Sequence, residues 1–311
     1  MKAIKVSGKV IELCDVPEPT GEGVLVNVKA VGICGSDIHL IDSNMMKVIP
    51  GHEISGITPD GQPVAIEPML SCGECVHCNR GSQPYCESAL PNTLGIGIDG
   101  GMAEKVLVPQ RFLTPLPKSV KVQDAFLIEP LAVAVRSLLR ANVNSAKRII
   151  VVGGGTIGLC CVAVAKYFGV DVELLARHNH QIEAGFRLGT QTLRSEPAAL
   201  VIEAAGTESA LATAINLVAK GGTVAIPSTY WDPIELPGMA MGMKEVTLIP
   251  SITYGTTKGQ RDFVLASKIL ATTPELPKAV ITHRFPLDAA LDAFSAARSR
   301  EMGAIKVALE V

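Results

Sequence analysis

The run Ile149-Ile150-Val151-Val152-Gly153-Gly154-Gly155-Thr156-Ile157-Gly158 constrains this chain more than any other stretch. An apolar run enters a G-x-G-x-x-G, a helix-like segment follows from Leu159 to Phe168, and Gly169 ends it. A second strand-like run, Val170 to Ala176, comes next. Gly153, Gly155 and Gly158 answer three demands: a tight turn, backbone close to a pyrophosphate, and close helix–strand packing. The helix N-terminus, with Thr156 and Ile157 in its first turn, presents unpaired N–H groups to phosphates. Glycines at this spacing are weak evidence alone. Set between a strand and a helix, with another strand after, they predict a βαβ unit that takes a dinucleotide.

The same alternation continues on either side. Strands are expected at Arg148–Val152, Val172–Ala176, Ala199–Glu203, Gly222–Ile226 and Thr247–Pro250, so this part should be a doubly wound parallel sheet. The chain before it differs. Val24–Val31 alternates as a partly exposed strand, strands recur at Gln62–Glu67 and Ala103–Val108, and Pro17, Pro19, Gly21 and Gly23 mark turns. Asp60-Gly61 suits a tight hairpin turn. Helical periodicity begins near Ala125 and carries Glu129 just before Pro130. The last sixty residues return to short strands and one amphipathic helix, Leu287–Arg298.

Two groups of soft and borderline ligands lie in the first half. Ile33-Cys34-Gly35-Ser36-Asp37-Ile38-His39 and Pro50-Gly51-His52-Glu53 supply a thiol, imidazoles, carboxylates and a hydroxyl. Cys34 and His52 suit a catalytic zinc, which takes three protein ligands and keeps one position open; Glu53 is the nearest third ligand. Gly32, Gly35 and Gly51 are expected to let the backbone turn sharply beside them. Downstream, Cys72, Cys75, Cys78 and Cys86 suit a tetrahedral four-thiolate zinc of structural type, with His77 a bystander. Disulfides are the competing reading. The start Met1-Lys2-Ala3-Ile4 carries no apolar signal run, so a reducing, cytoplasmic setting is expected instead.

A net charge of −2 gives no basic excess for nucleic acid. No uncharged apolar run reaches membrane-spanning length, so no membrane partner is expected. A zinc-ribbon binding module would explain the four cysteines but not the nucleotide-binding half.

Together these motifs resemble the zinc-dependent medium-chain dehydrogenase/reductase family of the alcohol dehydrogenase superfamily. Gly51-His52-Glu53 and Glu129-Pro130-Leu131 are most similar to its sorbitol, threonine and glucose dehydrogenase branches. The likeness extends to Ile281–Leu287 and to Gly303-Ala304-Ile305-Lys306-Val307. Between Ile54 and Val64 the chain is shorter than typical members. The resemblance implies an α/β protein: a Rossmann domain over 131–252, and a mainly β GroES-like catalytic domain from 1–130 and 253–311. It implies two zinc ions per chain and a hydride exchanged between NADP or NAD and a secondary alcohol, a polyol or the matching ketone. It also implies roles. Either Glu53 or Glu129 completes the catalytic zinc, Asp37 fixes the His52 tautomer, and Ser36 and His39 relay the substrate's proton. Members that lost the metal lack the Cys34 and His52 equivalents, which this chain keeps.

NAD-preferring members end the second strand on an acid that grips the ribose 2′-hydroxyl. Here Ala176 and Arg177 stand at that place and His178 follows, so NADP is favoured; a threonine-type, NAD-linked enzyme is the alternative. Glu173 sits in the body of the strand and should not reach the ribose. The apolar run Val246-Thr247-Leu248-Ile249 at the last sheet edge predicts a homodimer, and the resemblance implies that two dimers can pair into a homotetramer. Pocket walls from Leu40–Met46, Pro91–Ile98 and Thr253–Tyr254 do not single out a substrate.

Overall fold

Valines at alternate positions make Val24–Ile33 a strand, and it becomes the spine of the first of two units. A computed structural model describes residues 1–257 and 259–311 of the chain. One unit comprises Met1–Glu129, Leu270–Thr272 and Ile281–Val311; the other comprises Pro130–Ile269 and Thr273–Val280.

In the first unit, Val24–Ile33 is half-exposed on one face at its start and buried on both faces from Ala30 on. One edge pairs antiparallel with Glu53–Ile57, which sets Gly32 opposite Glu53. The other edge is shared: Lys105–Val108 takes Val24 to Asn27, and Lys306–Glu310 takes Ala30 to Ile33. Ile281–Pro286 adds in parallel to Lys306–Glu310, and the whole sheet has seven strands. Ile4, Ile54, Ile66, Met102 and Phe294 are fully buried in its core. The pairing therefore brings the C-terminal strand alongside Ile33, with Glu53 across Gly32 on the other edge.

In the second unit, five parallel strands stand in the order Thr247–Pro250, Val218–Ile226, Ala198–Glu203, Arg148–Val152, Asp171–Leu175. The central strands are near-continuous apolar runs because helices cover both faces. The helix Thr156–Tyr167 buries every residue from Gly158 to Ala165. A doubly wound sheet of this order carries one more strand beyond the second. Here that place holds only an isolated bridge between Glu173 and Gln191.

The point where the chain returns to the first unit differs from the expected residue 253. Asp262–Thr272 and Glu275–Val280 are helices that bury Phe263, Ile269, Leu276 and Val280. Glu275–Val280 lies against Thr156–Tyr167 and Asn179–Arg187, so apolar packing keeps the chain up to Ile269, and again Thr273–Val280, with the second unit.

Candidate functional site

Cys34 ends the long strand and caps the helix Gly35–Asp42 that carries Ser36, Asp37 and His39. The sequence reading placed no helix there. One acid organises its start. Asp37, fully buried, accepts the Cys34 backbone N–H at 2.8 Å through Oδ2, while its Oδ1 faces His52 Nδ1 at 3.4 Å. Asp37 thus holds the backbone of one candidate ligand and sets its charge beside the ring of the other. A proton on Nδ1 leaves Nε2 of His52 as the free donor to a metal. Burial disfavours a charged His52, but Asp37 and Cys34 outweigh it and raise its pKa well above the ordinary value.

Glu53 follows in the next strand. Its carboxylate occupies the space a side chain at position 32 would need: a Cβ on Gly32 would stand 1.9 Å from Glu53 Oε2. Gly32 is therefore there for room, inside a strand, and not for a turn as expected. Of the three glycines named from sequence, only Gly51 has a positive φ, +95°.

Ligand atoms of Cys34, His52 and Glu53 all lie within 4.8 Å of one another. Lys306, 3 % exposed, donates to Glu53 Oε1 at 2.6 Å and to the Ile33 carbonyl at 3.0 Å. Burial opposes the ammonium of Lys306, yet Glu53 and Cys34 hold its pKa above the usual lysine value. Glu53 Oε2 is buried and has no hydrogen-bond partner. One oxygen of Glu53 thus faces the Lys306 ammonium and the other is left unpartnered, beside a thiol and an imidazole. That donor set, sulfur, nitrogen and oxygen, fits a divalent zinc. Sequence reasoning quoted Lys306 within a motif but gave it no role; its signal was a lysine set directly before the apolar run Val307-Ala308-Leu309.

Glu129 is buried at 8 % exposure in the first turn of Ile128–Arg140 and is not part of the three-residue group. Ser36 Oγ lies 3.4 Å from His52 Nε2. His39, one turn further along the same helix, has Nε2 3.4 Å from Ser43 Oγ. Ser36 and His39 share a helix face by their i,i+3 spacing.

The second cysteine group also comes together. Cys72 Sγ lies 3.8 Å from Cys78 Sγ and 3.6 Å from Cys86 Sγ, and none of these four is in a disulfide. A disulfide would need about 2.0 Å. Zinc–sulfur bonds of about 2.3 Å in a tetrahedron put sulfurs about 3.8 Å apart. Backbone N–H groups of Cys72, Cys75 and Cys78 point at Cys86, Cys72 and Cys75 sulfurs at 3.4 to 3.5 Å. The Ser88 hydroxyl and the Cys72 N–H bring the Cys86 thiol down to about 6, whereas burial pushes Cys78 up to about 11. A bound cation would bring both to the thiolate form. His77 is exposed and outside the group, edge-on to Tyr85.

In the second unit the glycine loop has the predicted form. Gly153 has φ +109°, and a Cβ there would meet the Ala204–Ala205 peptide at 2.8 Å. A Cβ on Gly158 would stand 1.8 Å from the Gly153 carbonyl, and space beside Gly155 is open. Gly155 caps the helix Thr156–Tyr167, so Thr156 and Ile157 carry its first unpaired N–H groups. At the end of Asp171–Leu175, Ala176 is half-buried and Arg177 exposed. His178 caps the next helix, and its ring stacks on His180. Glu173 is fully buried, bonded to Arg148 at 2.8 and 3.0 Å and paired with Arg194 at 3.2 Å.

Among the described residues no helix is long and apolar enough to cross a membrane. The profile of the alcohol dehydrogenase GroES-like domain matches residues 20–118. D-xylulose reductase A of Aspergillus oryzae is 30% identical over 87% of this chain and 85% of its own length. An alcohol dehydrogenase of E. coli CFT073, solved with NADH, superposes with a TM-score of 0.88 at 25% identity, covering 100% of this chain and 99% of that one. A protein described as a zinc-binding dehydrogenase, from Sinorhizobium meliloti 1021 and bound to NADP, gives 0.86 at 26%, with 100% and 99% covered. With these relatives, the GroES-like profile and the parallel nucleotide-type sheet, the chain belongs to the zinc-dependent medium-chain dehydrogenase/reductase family, the alcohol dehydrogenase superfamily.

Proposed function

We propose that this chain is a zinc-dependent dehydrogenase that exchanges a hydride between NADP and a secondary alcohol or polyol. The observation that carries the reading is the buried group Cys34, His52 and Glu53, with Glu53 Oε2 unpartnered. Zinc, when bound, supplies a Lewis acid that lowers the pKa of a bound hydroxyl. Cys34, His52 and Glu53 would hold it, with Glu129 the alternative carboxylate. Asp37 keeps His52 in the ligating tautomer. The Ser36 hydroxyl would accept the substrate's hydroxyl proton as it gives up its own, which passes through the cofactor ribose toward His39 on the same helix. Cys72, Cys75, Cys78 and Cys86 would hold a second zinc that stabilises their loop.

Gly153, Gly155, Thr156, Ile157 and Gly158 would take the pyrophosphate. The absence of an acid at Ala176 and Arg177 favours the 2′-phosphate of NADP, since the nearby Glu173 is already bound by two arginines. The polyol class follows the D-xylulose reductase relative. Thiols at Cys72, Cys75, Cys78 and Cys86 outside any disulfide suit a cytoplasmic setting. The edge strand Thr247–Pro250, with Leu236, Met239, Met243 and Ile252 exposed nearby in sequence, suits pairing of two copies into a homodimer or homotetramer. Sedimentation at micromolar concentration checks the last point, and a purely monomeric species contradicts it.

The function itself is tested by a turnover panel of polyols, amino alcohols and simple secondary alcohols with NAD and NADP. Polyol oxidation with NADP as the better acceptor is expected. Turnover of an amino alcohol alone, with NAD, would replace this reading by the threonine-type one.

A further inference from the structure

Glu203 closes the strand Ala198–Glu203 at its carboxyl end, where doubly wound sheets bind their ligands. It is fully buried, and a buried carboxylate is stable only when its lone pairs are engaged. Four donors engage it. Oε1 accepts the backbone N–H groups of Ala205 and Gly206, both at 2.9 Å. Oε2 accepts the hydroxyls of Ser228 and of Tyr230, the latter at 2.6 Å. Ser228 also donates to the Glu203 carbonyl at 3.2 Å. Burial, and then the Glu203 charge, raise the pKa of Tyr230 and keep it a donor.

One carboxylate therefore ties together two loops that follow adjacent strands. The first of them borders the glycine loop, and the second packs on the first. The Ala204–Ala205 peptide is what a Cβ on Gly153 would strike, and the Ala204 N–H bonds to the Val152 carbonyl at 2.8 Å. A Cβ on Gly206 would meet the Thr229 carbonyl at 3.0 Å. In a sheet of this order the first two strands serve the adenosine half of a dinucleotide, so the strands that end at Glu203 and Ile226 serve the nicotinamide half.

We infer that Glu203 is a positioning residue for the nicotinamide half of the cofactor, acting through the Ala205–Gly206 turn and the Ser228–Tyr230 loop. The inference rests on the reading of this crevice as a nicotinamide dinucleotide site. Glu203→Gln keeps the shape but replaces one acceptor oxygen by an NH₂ that faces two donors. The expected result by titration calorimetry is a Kd for NADPH raised about ten-fold or more, since hydrogen bonds to a charged acceptor are the strong ones. The Kd for 2′,5′-ADP, which lacks the nicotinamide half, should move less than about two-fold. Tyr230→Phe, which removes one donor, should raise the NADPH value about three-fold and serves as the test if Glu203→Gln does not fold. A merely structural role would weaken both ligands together. Equal weakening, or no change for NADPH, overturns the inference. Wild type that binds 2′,5′-ADP but no nicotinamide nucleotide would instead overturn the proposed function, and the inference with it.

Discussion

Lys306→Met removes the cation from a buried pair while nearly preserving volume. In wild type, Glu53 and Lys306 are 1 % and 3 % exposed, and their charged atoms are 2.6 Å apart. Removing one partner leaves Glu53 a buried charge without its counter-ion, which costs about 3–5 kcal/mol. For a unit of this size that corresponds to a fall in Tm of about 6–20 °C. A bound zinc would supply positive charge to Glu53, so the full loss should appear only after chelation. Thermal melts by circular dichroism, with and without chelator, on wild type and variant, give the difference of differences. Lys306→Met combined with Glu53→Gln should recover part of the loss, because the remaining pair carries no charge. Equal melting of wild type and Lys306→Met after chelation would refute the reasoning. A double variant that loses as much as the two single variants added would also refute it.

Two further outcomes are expected. Cys75→Ser should lower stability and promote aggregation while its melt loses sensitivity to chelator in the loop it holds, since a structural zinc contributes folding energy; an unchanged melt would speak against a second zinc. Ala176→Asp with Arg177→Ala should move the ratio of kcat/KM from NADP towards NAD, because a carboxylate repels the 2′-phosphate and accepts from the 2′-hydroxyl. An unchanged ratio would show that this strand end does not set cofactor choice.

Local spacing carried what was legible in the sequence. The glycine loop, both cysteine groups and the five strands of the parallel sheet are written in neighbouring residues, so periodicity and spacing reach them. Contacts between distant residues were not legible. Gly32 looked like a turn glycine because only the strand register places the Glu53 carboxylate over it. Lys306 reaches Glu53 across 253 positions, and Glu203 reaches Tyr230 across 27. The helices Asp262–Thr272 and Glu275–Val280 were missed for another reason. The first is apolar nearly all round and the second is only six residues long, so burial rather than an amphipathic period holds them.

The central claim is that Cys34 belongs to a catalytic zinc distinct from the zinc of the four cysteines. Zinc content per chain and NADP-linked turnover, measured on the same preparations of wild type and Cys34→Ser, test it most directly. The account predicts two zinc ions with turnover for wild type, and one zinc without turnover for a Cys34→Ser protein that still folds. Wild type with a single zinc, or normal turnover in Cys34→Ser holding one zinc, would contradict it.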